Sequence, residues 1–247
     1  MNHVTPPARV ALALVLLAVT GCGGGGRQTL TVFADTSLTG TFGSLGKAFE
    51  TAHPGVAVRF DFGGSSALAQ RIVRGAPADV FAAAGTAAMR RSGAPGPRVF
   101  ARDSLQIAVP KGNPAHVAGL KDLAAPGVRV ALCAASAPCG AGARAALAAA
   151  GVTVAPAAEE QDAVKALAEV RLGEADAALV HRTDVRAAAG AVEGVDFPEA
   201  ARVAEDYLIA TVPGTMRLAL TREFVDLVLS DEGRRVLSRA GFTPVTG

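Results

Sequence analysis

The stretch FDFGGSSALAQRI, residues 60–72, joins a strand-like segment to a helix-like segment through two glycines and two serines. It continues the alternating run VAVRFDF (56–62), and the apolar residues after Ser66 recur at helical spacing. The first turn of a helix carries N–H groups without helical partners and the positive end of the helix dipole. A helix that starts at Gly-Gly-Ser-Ser therefore favours an anion, and the order strand, turn, helix is typical of an α/β fold.

The same alternation continues on both sides of this stretch. In the first half, the pattern predicts strands at 29–34, 56–62 and 78–84 and helices at about 37–52 and 65–74. In the second half, it predicts strands at 104–110, 127–133, 152–156, 175–180 and 202–213 and helices at 140–151 and 162–173, followed by a helical C-terminus. We therefore predict the α/β fold class, with two α/β lobes and largely parallel sheets.

The division into lobes follows from the two long strands. Residues 104–110 and 202–213 are natural crossings between the lobes, and the C-terminal helices then return to the first lobe. We predict that lobe I comprises residues 29–104 and 209–247 and that lobe II comprises residues 105–208.

The N-terminus reads as an export segment. Arg9 precedes an apolar run from Val10 to Val19, which is too short to span a bilayer. The run ends in LAVTGC, which resembles the lipobox of bacterial lipoproteins, with Cys22 as the lipidated residue. We predict a signal peptide at 1–21, a Gly-rich tether at 22–28 and a lipid anchor at Cys22; a plain secretory signal cleaved nearby is the alternative.

Composition and cysteine content limit the possible functions. Aromatic residues make up 4% of the chain and the net charge is only +2, so we expect no nucleic-acid partner. Export favours oxidation, and Cys133 and Cys139 lie six residues apart. They form either a short disulfide loop or two free, buried thiols.

Four predicted helix starts carry groups suited to an anion. Ser37 and Ser65 stand at two of them in lobe I, and the backbone N–H groups of Cys139 and Ala163 stand at two in lobe II. Each alone is weak, because serine is a common helix N-cap. Ligands in α/β folds bind where strands end and helices begin, so the four starts together predict an oxyanion site between the lobes.

Two blocks of sequence resemble the molybdate-binding (ModA) family of bacterial ABC transporters. They are TVFADTSLTGTF with FGGSSALAQRIVRGAPADVF in the first half, and APCGAGARAAL with DAVKALAEVRLGEADAALV in the second. The resemblance implies a type II periplasmic binding protein fold, with mixed sheets and two crossing strands. It implies that Ser37, Ser65, the amides of Cys139 and Ala163, and His181 in place of the family's tyrosine bind molybdate or tungstate.

The resemblance also implies the partners of the protein. The expected partner is an ABC transporter permease, and the expected location is the extracytoplasmic face of the cell membrane, reached through the lipid anchor. We expect a monomer with no cofactor, no metal-ion ligands and no catalytic residues.

Three departures from the family pattern bear on the site: Asp35 with Thr36, His181, and Cys139, which stands where small residues are usual. Asp35 and Thr36 replace alanines, and a carboxylate facing the cleft would repel a dianion, so we expect Asp35 to point away or to cap a neighbouring turn. A charged His181 would strengthen anion binding at low pH.

Two other functions are compatible with the same residues. A related protein could bind sulfate or phosphate, and phosphate gains weight if Asp35 faces inward, since hydrogen phosphate needs an acceptor. An enzyme is the third possibility, with Cys139 as nucleophile and His181 as base of a hydrolase.

Overall fold

The computed structural model describes Met1 and residues 27–135 and 137–245. The predicted signal peptide after Met1, the lipidation site at Cys22 and most of the tether lie outside the described residues. Within those residues, no helix is long and apolar enough to cross a membrane.

Strands and helices alternate along most of the described chain. The strands are β1 (Gln28–Asp35), β2 (Val56–Gly63), β3 (Val80–Ala84), β4 (Arg98–Asp103), β5 (Leu105–Pro110), β6 (Val130–Cys133), β7 (Ala158–Glu160), β8 (Ala177–His181), β9 (Val192–Val195), β10 (Glu205–Thr211) and β11 (Thr243–Pro244). The helices are α1 (Thr39–Ala52), α2 (Ser65–Val73), α3 (Thr86–Ser92), α4 (Pro138–Ala150), α5 (Ala163–Leu172), α6 (Arg182–Ala187), α7 (Leu218–Leu229) and α8 (Asp231–Arg239), with short 3-10 turns at Thr36–Leu38, Leu120–Ala124 and Pro198–Arg202.

The strands of the described residues form two mixed sheets. In one the order is β11-β4-β10-β3-β1-β2, and in the other it is β7-β6-β8-β5-β9. In the first sheet β1 pairs in parallel with β2 and β3, and β10 is antiparallel to its neighbours β3 and β4. In the second, β6 is parallel to β7 and β8, and β5 is antiparallel to β8 and β9. The predicted α/β class with two lobes is confirmed, and so are the mixed sheets that the resemblance implies. The largely parallel sheets predicted from the alternation of strands and helices are wrong, because β5 and β10 run antiparallel to their neighbours.

One predicted strand is wrong. Residues 152–156 do not pair in a sheet, and the edge strand at this place is β7, whose Ala158 pairs with Ala131. Val152 and Val154 instead pack against the apolar core of lobe II. Their alternating pattern therefore reflects side-chain packing against the core rather than strand pairing.

The lobes are joined at two short connections. Ser104 alone separates β4 of the first sheet from β5 of the second, and Val203 and Ala204 precede β10. All of β10 pairs within the first sheet, so the predicted boundary between residues 208 and 209 falls inside a strand. We propose that lobe II ends before Glu205.

Buried apolar clusters cover both faces of each sheet. In lobe I the largest side chains come from phenylalanines, and Phe42 contacts Phe100 and Phe224 with ring centroids 5.8 and 6.0 Å apart. Lobe II packs smaller residues, among them Ala143 and Ala146 of α4. These cores fix the helices on the sheets and so fix where the helix N-termini point.

Candidate functional site

A cavity of about 480 Å³ lies between the lobes, beyond the ends of several strands. Lobe I contributes the turn after β1, the end of β3 and the start of β10, and lobe II contributes the starts of α4, α5 and α6. The lining residues are Asp35, Thr36, Ser37, Ala84, Ala137, Cys139, Gln161, Asp162, Ala163, Val164, His181, Thr183, Asp184, Ala187, Glu205 and Tyr207. Four of the five predicted ligands thus meet at one cavity.

The fifth predicted ligand, Ser65, lies just behind the cavity wall. Its side chain is buried at the first residue of α2, and its Oγ accepts from the N–H of Ala84, which does line the cavity, at 2.9 Å. The same Oγ donates to Asp35 Oδ2 at 2.6 Å. Ser65 therefore joins the wall through hydrogen bonds, and its one proton points at Asp35.

Asp35 does not point away from the site as we expected. It does cap the turn at Thr36–Leu38, accepting from the N–H of Ser37 at 3.1 Å, and it also accepts from Ser37 Oγ at 2.9 Å. Its second oxygen reaches Ser65 across 30 residues of sequence. The second of the two expected arrangements, a cap on the neighbouring turn, is therefore confirmed, and the same carboxylate also caps the start of α2.

Lobe II presents backbone amides at the two predicted positions. Ala163 is the first residue of α5, and Cys139 is the second of α4, so helical geometry gives their N–H groups no carbonyl partner. Asp162 caps α5 by accepting from the N–H of Lys165 at 2.9 Å and leaves the amide of Ala163 to the cavity.

A disulfide between Cys133 and Cys139 ties the start of α4 to the end of β6. The next residue, Gly140, packs so tightly that a Cβ there would come within 2.0 Å of the carbonyl oxygen of Ala134. Only glycine fits this approach. Together the bridge and the glycine hold the amide of Cys139 in place.

His181 is the one basic side chain among the described residues that line the cavity. Its Nδ1 lies 3.5 Å from Asp184 Oδ2. Burial lowers the pKa of His181, but its interactions with Asp184, Asp103 and Glu205 outweigh that effect and raise the pKa above its usual value. Among the described residues that line the cavity, His181 alone can carry a positive charge near neutral pH, since Lys and Arg are missing from that set.

Two residues that line the cavity, Tyr207 and Glu205, and one buried beside it, Asp103, gave no functional signal in the sequence. Tyr207 is buried and its hydroxyl lies 2.9 Å from Ser37 Oγ. Asp103 is buried beside the first connection and accepts from Thr183 Oγ1 at 2.6 Å. Burial raises the pKa of Asp103 to about 6. Burial also raises the pKa of Glu205; His181 acts against this rise, and the negative charge of Asp35 adds to it. Asp103 lies in β4, and Glu205 and Tyr207 lie in β10; the residues that surround them come from distant parts of the chain, so the sequence alone does not indicate their environment.

Comparisons with known proteins identify the family of the chain. Residues 30–243 match the family described as bacterial extracellular solute-binding protein. The chain is 40% identical to the molybdate-binding protein ModA of Mycobacterium tuberculosis over 222 residues, which cover 88% of this chain and 85% of that protein. The chain belongs to the ModA family.

Solved structures show the same fold at low sequence identity. The Azotobacter vinelandii periplasmic molybdate-binding protein superposes with a TM-score of 0.67 at 22% identity, over 88% of this chain and all of that one. The sulfate-binding protein SubI of Mycobacterium tuberculosis superposes with a TM-score of 0.68 at 17% identity, over 88% of this chain and 87% of that one. The fold is therefore shared by ModA-family and sulfate-binding proteins, and it does not select the anion.

The hydrolase alternative is wrong. Cys139 is bonded to Cys133, so it has no thiolate to act as a nucleophile. ModA-family proteins are solute-binding proteins rather than enzymes. Within residues 27–135 and 137–245, no group of three or more His, Cys, Asp or Glu side chains is placed to hold a metal ion.

Proposed function

We propose that this protein captures molybdate in the cavity between its lobes and passes it to the membrane permease of an ABC transporter. The observation that carries the proposal is the convergence of Ser37, the amides of Cys139 and Ala163, and His181 on one cavity, with Ser65 directly behind. The 40% identity to ModA of Mycobacterium tuberculosis supports molybdate as the anion.

The donors suit a tetrahedral dianion that carries no proton. Hydroxyls and helix N-terminal amides are hydrogen-bond donors, and each bond to a charged oxygen is worth about 1.5–3 kcal/mol. Tungstate has the same charge and shape as molybdate, so we propose that it binds at the same site. Lobe II then closes over the anion by rotation at Ser104 and at residues 203–204.

The size of the cavity supports this closing motion. A volume of about 480 Å³ is that of about sixteen water molecules in the liquid, far more than one tetrahedral oxyanion needs. Donors on opposite walls can contact the same small anion only after the walls approach each other. We therefore propose that the structure corresponds to the open, receiving form.

The inward orientation of Asp35 does not by itself favour phosphate as the ligand. Hydrogen phosphate needs a free acceptor next to the donors. Asp35 in its observed position already accepts two hydrogen bonds on each oxygen, and an anion that takes those donors moves the Asp35 carboxylate away from them. Sulfate fits the same donors and remains the second candidate, favoured by the shared fold of SubI.

Titration calorimetry with molybdate, tungstate, sulfate and phosphate tests the proposal. We expect molybdate and tungstate to bind with similar affinity and phosphate to give no heat. For any substitution that removes the Ser65 hydroxyl, Ser66→Ala is the matched control, because Ser66 is the exposed neighbour in the same turn. Heat from sulfate or phosphate but none from molybdate would overturn the assignment.

We also propose that Cys22 carries a lipid and holds the protein as a monomer on the outer face of the membrane. The LAVTGC segment and the glycines after it support the anchor. Labelling with a radioactive fatty acid in the host should mark the wild-type protein and leave Cys22→Ser unmarked. Equal labelling of both would refute the anchor.

A further inference from the structure

The Asp35 carboxylate makes four hydrogen bonds with the two serines of lobe I. Oδ1 accepts from the N–H and Oγ of Ser37 at 3.1 and 2.9 Å. Oδ2 accepts from the N–H and Oγ of Ser65 at 3.3 and 2.6 Å. These are the two residues that the proposed function assigns to the oxyanion on this lobe.

The hydroxyl protons of Ser37 and Ser65 are already engaged in hydrogen bonds in this arrangement. A hydroxyl donates one hydrogen bond, and the proton of Ser65 Oγ goes to Asp35 while its oxygen accepts from Ala84. Ser37 Oγ likewise lies between Asp35 and the Tyr207 hydroxyl, which is 2.9 Å away. An oxyanion cannot gain these donors while Asp35 keeps them.

The carboxylate resembles the ligand in the features that the site recognises. It offers two negatively charged oxygens, each held by a hydroxyl and an amide, as one edge of a tetrahedral oxyanion would be. It is attached to the last residue of β1, so its local concentration at the site is high and constant.

Asp35 has room to leave, and leaving carries a cost. It is only partly buried, and it lines a cavity of about 480 Å³. Rotation into that cavity brings its charge nearer to Asp162, Asp184 and Glu205, which line the same space. His181 is the one basic side chain among the described residues of that lining.

We propose that Asp35 is an intramolecular competitor, which occupies the lobe I half of the oxyanion site and must be displaced before an oxyanion binds. The inference rests on the proposed function. It makes Asp35 the residue that sets the affinity of this protein, because the apparent affinity falls by the fraction of molecules whose donors are free.

Calorimetry of Asp35→Ala and Asp35→Asn with molybdate tests the proposal. We expect each variant to bind at least about tenfold more tightly than wild type, since one charge-assisted contact already shifts an equilibrium by about that factor. The Asn variant keeps the size of the side chain, so it can be interpreted if the Ala variant does not fold.

Two control variants separate competition from other effects. Ser66→Ala alters the exposed neighbour of Ser65, which is outside the cavity lining, and we expect the affinity to change less than about threefold. Asp162→Asn removes another carboxylate from the lining, and asparagine still caps α5. A gain from Asp162→Asn equal to that of Asp35→Asn would assign the effect to general charge repulsion and overturn the competition.

The outcomes distinguish this inference from the proposed function. If wild type and the Asp35 variants bind molybdate equally, or the variants bind more weakly, the competition is refuted and the function stands. If none of them binds molybdate, the proposed function fails, and the inference fails with it. Thermal unfolding is a second readout. Without ligand, Asp35→Ala should unfold at a lower temperature than wild type, and molybdate should raise its unfolding temperature by more than it raises that of wild type.

Discussion

The buried carboxyl of Asp103 should make the stability of the protein depend on pH. Asp103 ends β4 at the first connection between the lobes and is 1% exposed. Its Oδ2 accepts from Thr183 Oγ1, and its Oδ1 has no partner among the described residues. Asp103→Asn keeps an oxygen for Thr183 and removes the titration.

The magnitude follows from the pKa of Asp103. Burial raises that pKa from 3.8 to about 6, against the opposing charge of His181. The folded protein therefore holds a proton at pH values where the unfolded chain has released it, so stability falls as pH rises from about 4 to about 7. The shift of the Asp103 pKa between the unfolded and the folded state corresponds to about 3 kcal/mol of unfolding free energy, at about 1.36 kcal/mol for each pKa unit.

Neighbouring groups act in the same direction. The raised pKa values of His181 and Glu205 also favour proton binding by the folded state. Loss of the Asp103 charge removes one cause of the raised pKa of His181, so the substitution reduces that contribution as well. The variant should therefore lose much of the pH dependence rather than one part of it.

Urea unfolding followed by circular dichroism at pH 4, 5, 6 and 7 measures the effect. We expect the free energy of unfolding of wild type to fall relative to Asp103→Asn by about 3 kcal/mol across this range. Asp226→Asn, where the carboxyl is 72% exposed, controls for the loss of one negative charge. If the free energies of unfolding of wild type and Asp103→Asn differ by the same amount at every pH, the reasoning is refuted.

Three further predictions concern the walls of the cavity. In the Asp35→Ala background, Ser65→Ala should weaken molybdate binding by about 1–3 kcal/mol, and unchanged calorimetry would remove Ser65 from the site. The molybdate affinity of wild type should decline as the pH rises through the raised pKa of His181, and His181→Tyr should abolish this decline; a decline that persists in the variant would assign it to another group. Reduction of the Cys133–Cys139 bridge, which closes a short loop, should lower the free energy of unfolding by about 2 kcal/mol in urea, and no change on adding reductant would contradict this.

The sequence predicted the fold because local signals and tertiary structure agree here. The start of α2 at Ser65 and the end of α5 before Gly173 follow from residue types alone. Gly173 adopts φ of 74°, as expected of a residue that ends a helix. The edge strand β7 was misplaced because the pairing that defines it depends on β6, 25 residues earlier in the chain.

The direction of Asp35 could not be predicted from the chain. Its capping of the next turn is a local contact, which the sequence indicates. Its bonds to Ser65 depend on how β1 and β2 pair in the sheet, where Asp35 stands opposite Gly63. Tyr207 reaches Ser37 for a similar reason, since β10 enters the first sheet only after the chain has built lobe II.

The position of Tyr207 has a practical consequence. The chain contains one tyrosine and no tryptophan, so all of its ultraviolet emission above that of phenylalanine comes from this one phenol. The phenol touches Ser37 in the wall of the cavity and lies deep in lobe I. The protein thus carries its own fluorescent reporter at the place where the anion would arrive, and neither a label nor an engineered residue is needed to follow the event in real time.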